Sequence, residues 1–139
     1  MEYSLKLTRW DKDQTSLSKI RRKVFIEEQQ VPEELEWDED DKACVHVLVT
    51  DNNTPIATGR IKMDGHIGRM AVLKDYRNKG IGSEVLEALI DLSKTLKMKS
   101  VYLHAQTTAI SFYEKHSFKI SSEEFMDAGI PHKTMEKQL

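Results

Sequence analysis

The stretch from His66 to Lys97 constrains this chain more than any other. It joins an apolar segment, Met70-Ala-Val-Leu73, to a basic turn with two glycines, Arg77-Asn-Lys-Gly-Ile-Gly-Ser83, and then to a long amphipathic run ending at Lys97. Strand, glycine turn and helix in that order aim free backbone N–H groups at an anion, and the basic side chains suit a phosphate. Two well-known phosphate loops do not fit. A P-loop carries its lysine after the glycines, whereas Lys79 precedes Gly80 and Gly82. A dinucleotide fingerprint needs a third small residue where Val85 stands, and an acid at the end of the next strand, where the chain has His104. What remains is Arg77-x-x-Gly80-x-Gly82 leading straight into a helix, which suits a pyrophosphate. An ordinary glycine turn is the alternative.

Composition narrows the function classes. The length, 139 residues, suits a single domain, 1–139, that buries roughly two-thirds of its unfolded surface. Net charge is −2 and the 21 basic residues are scattered, so no stripe for nucleic acid is visible. No segment approaches the apolar length of a membrane span, and the first ten residues lack the core of a signal peptide. With one cysteine, Cys44, no internal disulfide forms, and a cytoplasmic location is expected. The five histidines show no paired spacing for a metal, so none is expected.

Along the chain, Leu5 and Leu7 alternate with polar residues and predict a short first strand. A helix capped at Thr15 or Ser16 follows, with Leu17, Ile20, Val24 and Phe25 as its apolar stripe and Pro32 as its stop. At about 100° per residue, Glu28 falls near the middle of that stripe and Gln29 well off it. An inward carboxylate there would meet a cation, such as Arg21 or Arg22, or have its pKa raised. From Glu33 to Asp41, seven of nine residues are acidic, which predicts a solvated loop or short helix, or a rim that attracts a cationic substrate. Segments 44–50 and 56–63 read as a hairpin across Asp51-Asn-Asn-Thr-Pro55, and Asp64-Gly65 turns into the strand of Met70. Beyond the long helix come a strand at 100–104, a short helix at 107–116, a strand at 118–125 and a last strand at 132–137.

These residues resemble the GNAT superfamily of acetyl-coenzyme A-dependent N-acetyltransferases over nearly the whole chain. The first signature is the strand of Met70 to Leu73 followed by Arg77 to Gly82 at a helix start. The second is Ala109-Ile-Ser-Phe-Tyr-Glu-Lys115. The family's Gly-Phe pair reads Ser117-Phe118 here, which bears on the backbone entering the next strand. Val24-Phe-Ile-Glu-Glu-Gln29 with Pro32, and Gly129-Ile-Pro-His132, are similar to a bacterial subgroup of small GNAT proteins.

The resemblance implies an α/β (α+β) fold. A mostly antiparallel twisted sheet of six to seven strands, flanked by about four helices, splays open at its centre to receive acetyl-coenzyme A. By the same resemblance Met70, Ala71 and Val72 pair with the cofactor's arm, with the thioester carbonyl near the Val72 N–H. Arg77, Asn78, Lys79, Gly80, Ile81, Gly82 and Ser83 hold the pyrophosphate. Tyr113 protonates the leaving sulfur, or simply covers it as a core tyrosine. Glu28 is the first candidate for the base, with His104, His132 or water as alternatives, and Gln106 is placed to bond the cofactor's amide chain. The acceptor would be a primary amine of a small molecule or peptide; a homodimer is left open. The rival from another class is a non-catalytic sensor or partner protein that keeps the fold and the coenzyme A site.

Overall fold

The computed structural model describes residues 3–139. Strand β1 (Tyr3–Arg9) leads directly into helix α1 (Trp10–Arg21), which continues as a π-helical segment, Arg22–Glu28. A short helix α2 (Glu33–Glu36) and a 3-10 turn, Glu39–Ala43, precede strands β2 (Val45–Asp51), β3 (Thr54–Ile61) and β4 (Ile67–Val72). Helix α3 (Ile81–Thr95) and strand β5 (Ser100–Gln106) follow. Helix α4 (Ile110–Glu114), β6 (Lys119–Ile120), β7 (Phe125–Asp127) and β8 (Ile130–Gln138) complete the order.

A first helical turn, Trp10–Lys12, precedes the expected helix, and Asp13 kinks the chain between the two (φ −128°, ψ 26°). The Asp13 carboxylate accepts from the Thr8 hydroxyl and pairs with Lys6, tying the bend to β1. The predicted strand at 118–125 is two strands, so eight strands are present among the described residues rather than six or seven. Asn52 and Asn53 both adopt positive φ, as do Ala128 and Gly129, which is the geometry that closes a two-residue hairpin.

β1 to β4 form one antiparallel sheet in chain order, and β8 pairs with β5, β6 and β7 in a second. Alternation across β2 assigns the layers: Val47 and Val49 join the core under α3, while Leu48 joins Trp10, Leu17, Ile20 and Val24 under α1. On α3 the buried residues Ile81, Val85, Leu86, Leu89 and Ile90 make one apolar face. Each such side chain contributes about 1.5–3 kcal/mol on burial. β1 forms as expected, but its leucines do not pack inward: Leu5 and Leu7 are exposed, and Thr8 is buried. Leu5 pairs with Val49 and Leu7 with Val47, so both lie on the α3 side, at the sheet edge.

Candidate functional site

The site begins where the two sheets touch and part. His66 bridges Tyr102 in parallel, and the Tyr102 N–H donates to the Gly65 carbonyl at 3.0 Å. Gly65 is required there: it has φ +95°, and a Cβ would stand 2.8 Å from the Ser100 carbonyl oxygen. Beyond this contact β4 carries a bulge. Thr58 pairs with Ala71 and Arg60 with Gly68, so Arg69 and Met70 together face Gly59, with Arg69 at φ +50°. A bulge bends its strand, and β4 departs from β5 toward Val72. The resulting cavity of about 850 Å³ is bounded by Met70, Ala71 and Val72 on one side and by Leu103, His104 and Gln106 on the other.

At its far end lies the glycine turn. Gly80 adopts φ +82° and no side chain caps α3. The first intrahelical bond is Glu84 N–H to the Gly80 carbonyl at 3.1 Å, so Ile81, Gly82 and Ser83 have no acceptor within the helix for their amides. Asn78, Gly80, Ile81, Gly82 and Ser83 line the cavity, while Lys79 is exposed and outside the lining. Arg77 lines it too, but its guanidinium is held: Nε donates to the Val72 carbonyl at 2.9 Å, and the two terminal nitrogens donate to Glu28 at 2.6 and 2.7 Å.

Glu28 therefore meets a cation, as one branch of the expectation had it, but the cation is Arg77 rather than Arg21 or Arg22, and the carboxylate is not turned inward. It is 39% exposed, and the Arg77 hydrogen bonds hold its pKa below the usual value despite partial burial. The cause is the π-helical segment. The Gln29 N–H reaches back five residues to the Val24 carbonyl, which widens the turn and reduces the angle per residue. Positions after Arg21 consequently slip round the helix. Gln29, off the stripe in an ideal helix, lines the cavity and accepts from the Gln106 amide at 2.9 Å.

The Tyr113 hydroxyl lies 3.9 Å from the Met70 sulfur, and burial pushes its pKa up to about 12, so the phenol keeps its proton at neutral pH. Ser117, replacing the family's glycine, adopts φ +69°, and the Phe118 N–H still reaches the Tyr113 carbonyl at 3.2 Å. The Ser83 hydroxyl lies 3.1 Å from His116 Nε2, and His116 Nδ1 lies 2.7 Å from Glu87 Oε1.

The opposite wall is a row of rings. His66 stacks on Tyr102 with centroids 4.6 Å apart, His104 meets His66 edge-on at 4.7 Å, and Phe125 joins His104 at 5.3 Å and His132 at 5.9 Å. Burial pushes His66 down to about 4, helped by the neighbouring His104, and burial also lowers His104. His132 Nδ1 donates to the Ile130 carbonyl at 2.7 Å, so in the neutral ring the lone pair is on Nε2.

The acidic segment forms the expected short helix, α2, with Glu33, Glu34, Glu39 and Asp40 exposed, but two of its acids are not solvated. Glu36 and Asp41 are buried against Arg21, at 2.8 and 2.7 Å, and Arg21 lies between the Trp10 and Trp37 rings. Arg60 pairs with Asp38 and Asp41, and Arg69 with Glu36 and Asp38. Three carboxylates and three guanidinium groups thus close a network beside β4, of which Glu36, Arg60 and Arg69 also line the cavity.

A family model, the Acetyltransferase (GNAT) domain, matches residues 11–139. The chain belongs to the GNAT acetyltransferase family. As a member of that family it is an acyltransferase. YyaT of Bacillus subtilis strain 168 is 45% identical over 127 residues, covering 87% of this chain and 86% of that protein. YjcF of the same strain, named an N-acetyltransferase, is 40% identical over 122 residues, covering 85% and 87%. The solved structure of Escherichia coli ElaA is 25% identical with a TM-score of 0.87, covering 96% of this chain and 99% of that one. Proteins of this GNAT fold have been solved with coenzyme A or acetyl-coenzyme A bound. Among the described residues no helix is long and apolar enough to cross a membrane.

Three parts of this GNAT site were not singled out by the sequence: the place of Gln29 in the cavity, Arg69, and the linking of Ser83 to Glu87 and His116. The spacing of Ser83 and Glu87, one helical turn apart, is the only local hint of the last.

Proposed function

We propose that this chain transfers the acetyl group of acetyl-coenzyme A to a primary amine of a small molecule or peptide by direct attack. The observation that carries the reading is the widening gap between β4 and β5, which ends on the unpaired amides of α3 and passes the Tyr113 hydroxyl. The edge of β4 at Met70, Ala71 and Val72 offers backbone groups to an amide-bearing arm, as a sheet edge does to a peptide. The Ile81, Gly82 and Ser83 amides receive the pyrophosphate, with Asn78 and Gly80 shaping the turn. Arg77 adds its charge there once it exchanges Glu28 for phosphate, and Lys79 adds a more distant one. Gln106, already bonded to Gln29, sits beside the arm.

The donor supplies a thioester carbonyl. The amine nitrogen forms a bond to that carbon, the carbon–sulfur bond breaks, and Tyr113 gives its proton to the departing sulfur. The proton lost by nitrogen goes to the ring wall, where His132 presents an acceptor lone pair and His104 is held neutral by burial. Glu28 does not suit the base role while Arg77 engages both its oxygens.

Thiol release with a panel of amines, paired with mass spectrometry for a gain of one acetyl group, tests the reaction. Tyr113→Phe should lower turnover at least about tenfold, since a positioned general acid contributes about 10²-fold or more. Unchanged turnover would remove Tyr113 from that role. Coenzyme A binding with no transfer to any amine would favour the non-catalytic sensor.

A further inference from the structure

The Ser83–His116–Glu87 chain has no part in the acetyl transfer derived above, yet it stands on the turn proposed to hold the pyrophosphate. Ser83 lies in the first turn of α3 and lines the cavity. Its hydroxyl oxygen is 3.1 Å from His116 Nε2, and His116 Nδ1 is 2.7 Å from Glu87 Oε1. The His116 side chain is 15% exposed, and Phe112 covers one side with ring centroids 5.2 Å apart. The charged groups facing it are Glu87 from α3 and Lys137 from β8, whose Nζ donates to the His116 carbonyl at 2.9 Å. Glu114 and Lys115, its neighbours in the chain, are exposed.

The hydrogen bonds in this chain have two arrangements. With a neutral imidazole, Nδ1–H donates to Glu87 and the bare Nε2 accepts the Ser83 proton. The hydroxyl then has no proton left, and its lone pairs would face any phosphate oxygen in the turn. With a protonated imidazole, Nε2–H donates to the Ser83 oxygen, and the hydroxyl proton is free to point at the phosphate. One proton from solution therefore converts Ser83 from a poor neighbour of an anion into a donor, and places a positive charge behind it.

We propose that Ser83, His116 and Glu87 form a protonation-dependent donor to the pyrophosphate, so that coenzyme A binding draws a proton onto His116. The inference rests on the coenzyme A reading of the cradle. Glu87 acts through His116 as a positioning residue, fixing the ring so that Nε2 faces Ser83.

Calorimetry with 3′-dephospho-coenzyme A tests this, because that probe keeps the pyrophosphate but lacks the phosphomonoester that itself titrates at about pH 6. Titrations in buffers of different ionisation enthalpy report proton uptake directly. The wild type should take up a proton, and its affinity should fall about tenfold between about pH 6 and about pH 8.5, the size expected for losing a charge-assisted hydrogen bond. His116→Gln keeps a donor toward Ser83 without titrating, so it should bind with little of that pH dependence and no matching uptake. Ser83→Ala should bind more weakly at low pH and also lose the uptake. Binding with the same proton uptake in wild type, His116→Gln and Ser83→Ala would overturn the inference while leaving the cradle intact. No binding of the probe to folded wild type at either pH would overturn the cradle reading, and this inference with it.

Discussion

Arg21 and Arg77 both pair with carboxylates contributed by the chain between β1 and β2, yet their surroundings are opposite. Arg21 is fully buried, sandwiched by two tryptophans and hydrogen-bonded to Glu36 and Asp41. Arg77 is 35% exposed and holds a single carboxylate at the open end of the cavity. Removing one partner of a buried pair strands the other without water, whereas an exposed pair exchanges partners at little cost. The contrast teaches which charges are scaffold and which are available to a ligand.

Four measurements would break or sharpen that contrast. Arg21→Met should lower unfolding free energy by about 3–5 kcal/mol in urea titrations, because it leaves Glu36 and Asp41 buried without their cation. Arg77→Met should change it by no more than about 1 kcal/mol, and equal losses would erase the distinction.

Acid should dissect the buried side. His66 is pushed from 6.5 to about 4 by burial, so the unfolded chain takes a proton that the folded chain refuses, and stability falls between those values as pH drops. Burial alone would raise Asp38, but Arg60 outweighs it and holds the carboxyl at about 2, so a second loss follows below 3.8. Melting temperature should therefore hold steady above pH 6.5 as far as these groups are concerned, and His66→Asn should flatten the first decline. A first decline unchanged in that variant would assign it elsewhere.

On the exposed side, Arg77→Met should weaken coenzyme A binding about tenfold by calorimetry, the value of one charge-assisted bond. The smallest effect belongs to Glu28→Gln. Freed of its competitor, Arg77 should bind coenzyme A about twofold more tightly, with stability within about 1 kcal/mol of wild type. Weaker binding would mean that Glu28 orients Arg77 for the ligand rather than occupying it.

The same contrast explains what could be read from the chain. The glycine turn and the helix it opens were legible because their determinants are local: Gly80, Gly82 and the apolar period of α3 lie within a few turns of one another. The first hairpin was legible for the same reason, through Asn52-Asn53. Glu28 was misplaced because one π-turn, which no residue type announces, changes the angular step for everything after it. The burial of Glu36 and Asp41 within the acidic segment was missed because their partners are distant. Arg21 meets Asp41 across 20 residues and Arg60 meets it across 19, so a run of like charges conceals a neutral cluster. The β4 bulge that opens the cavity was equally invisible, since Gly68-Arg69-Met70 fits a regular strand until β3 is paired against it.

The seam between the two sheets has a consequence for the cohesion of the whole molecule. Among the described residues, backbone pairing across it is confined to the His66–Tyr102 bridge and its adjoining bond. A ligand lying along β4 would act as a missing strand, suturing two strands whose backbones part beyond that bridge. Its occupancy would then appear as slowed amide hydrogen exchange along the β4 edge and as added resistance to unfolding that grows with the logarithm of ligand concentration.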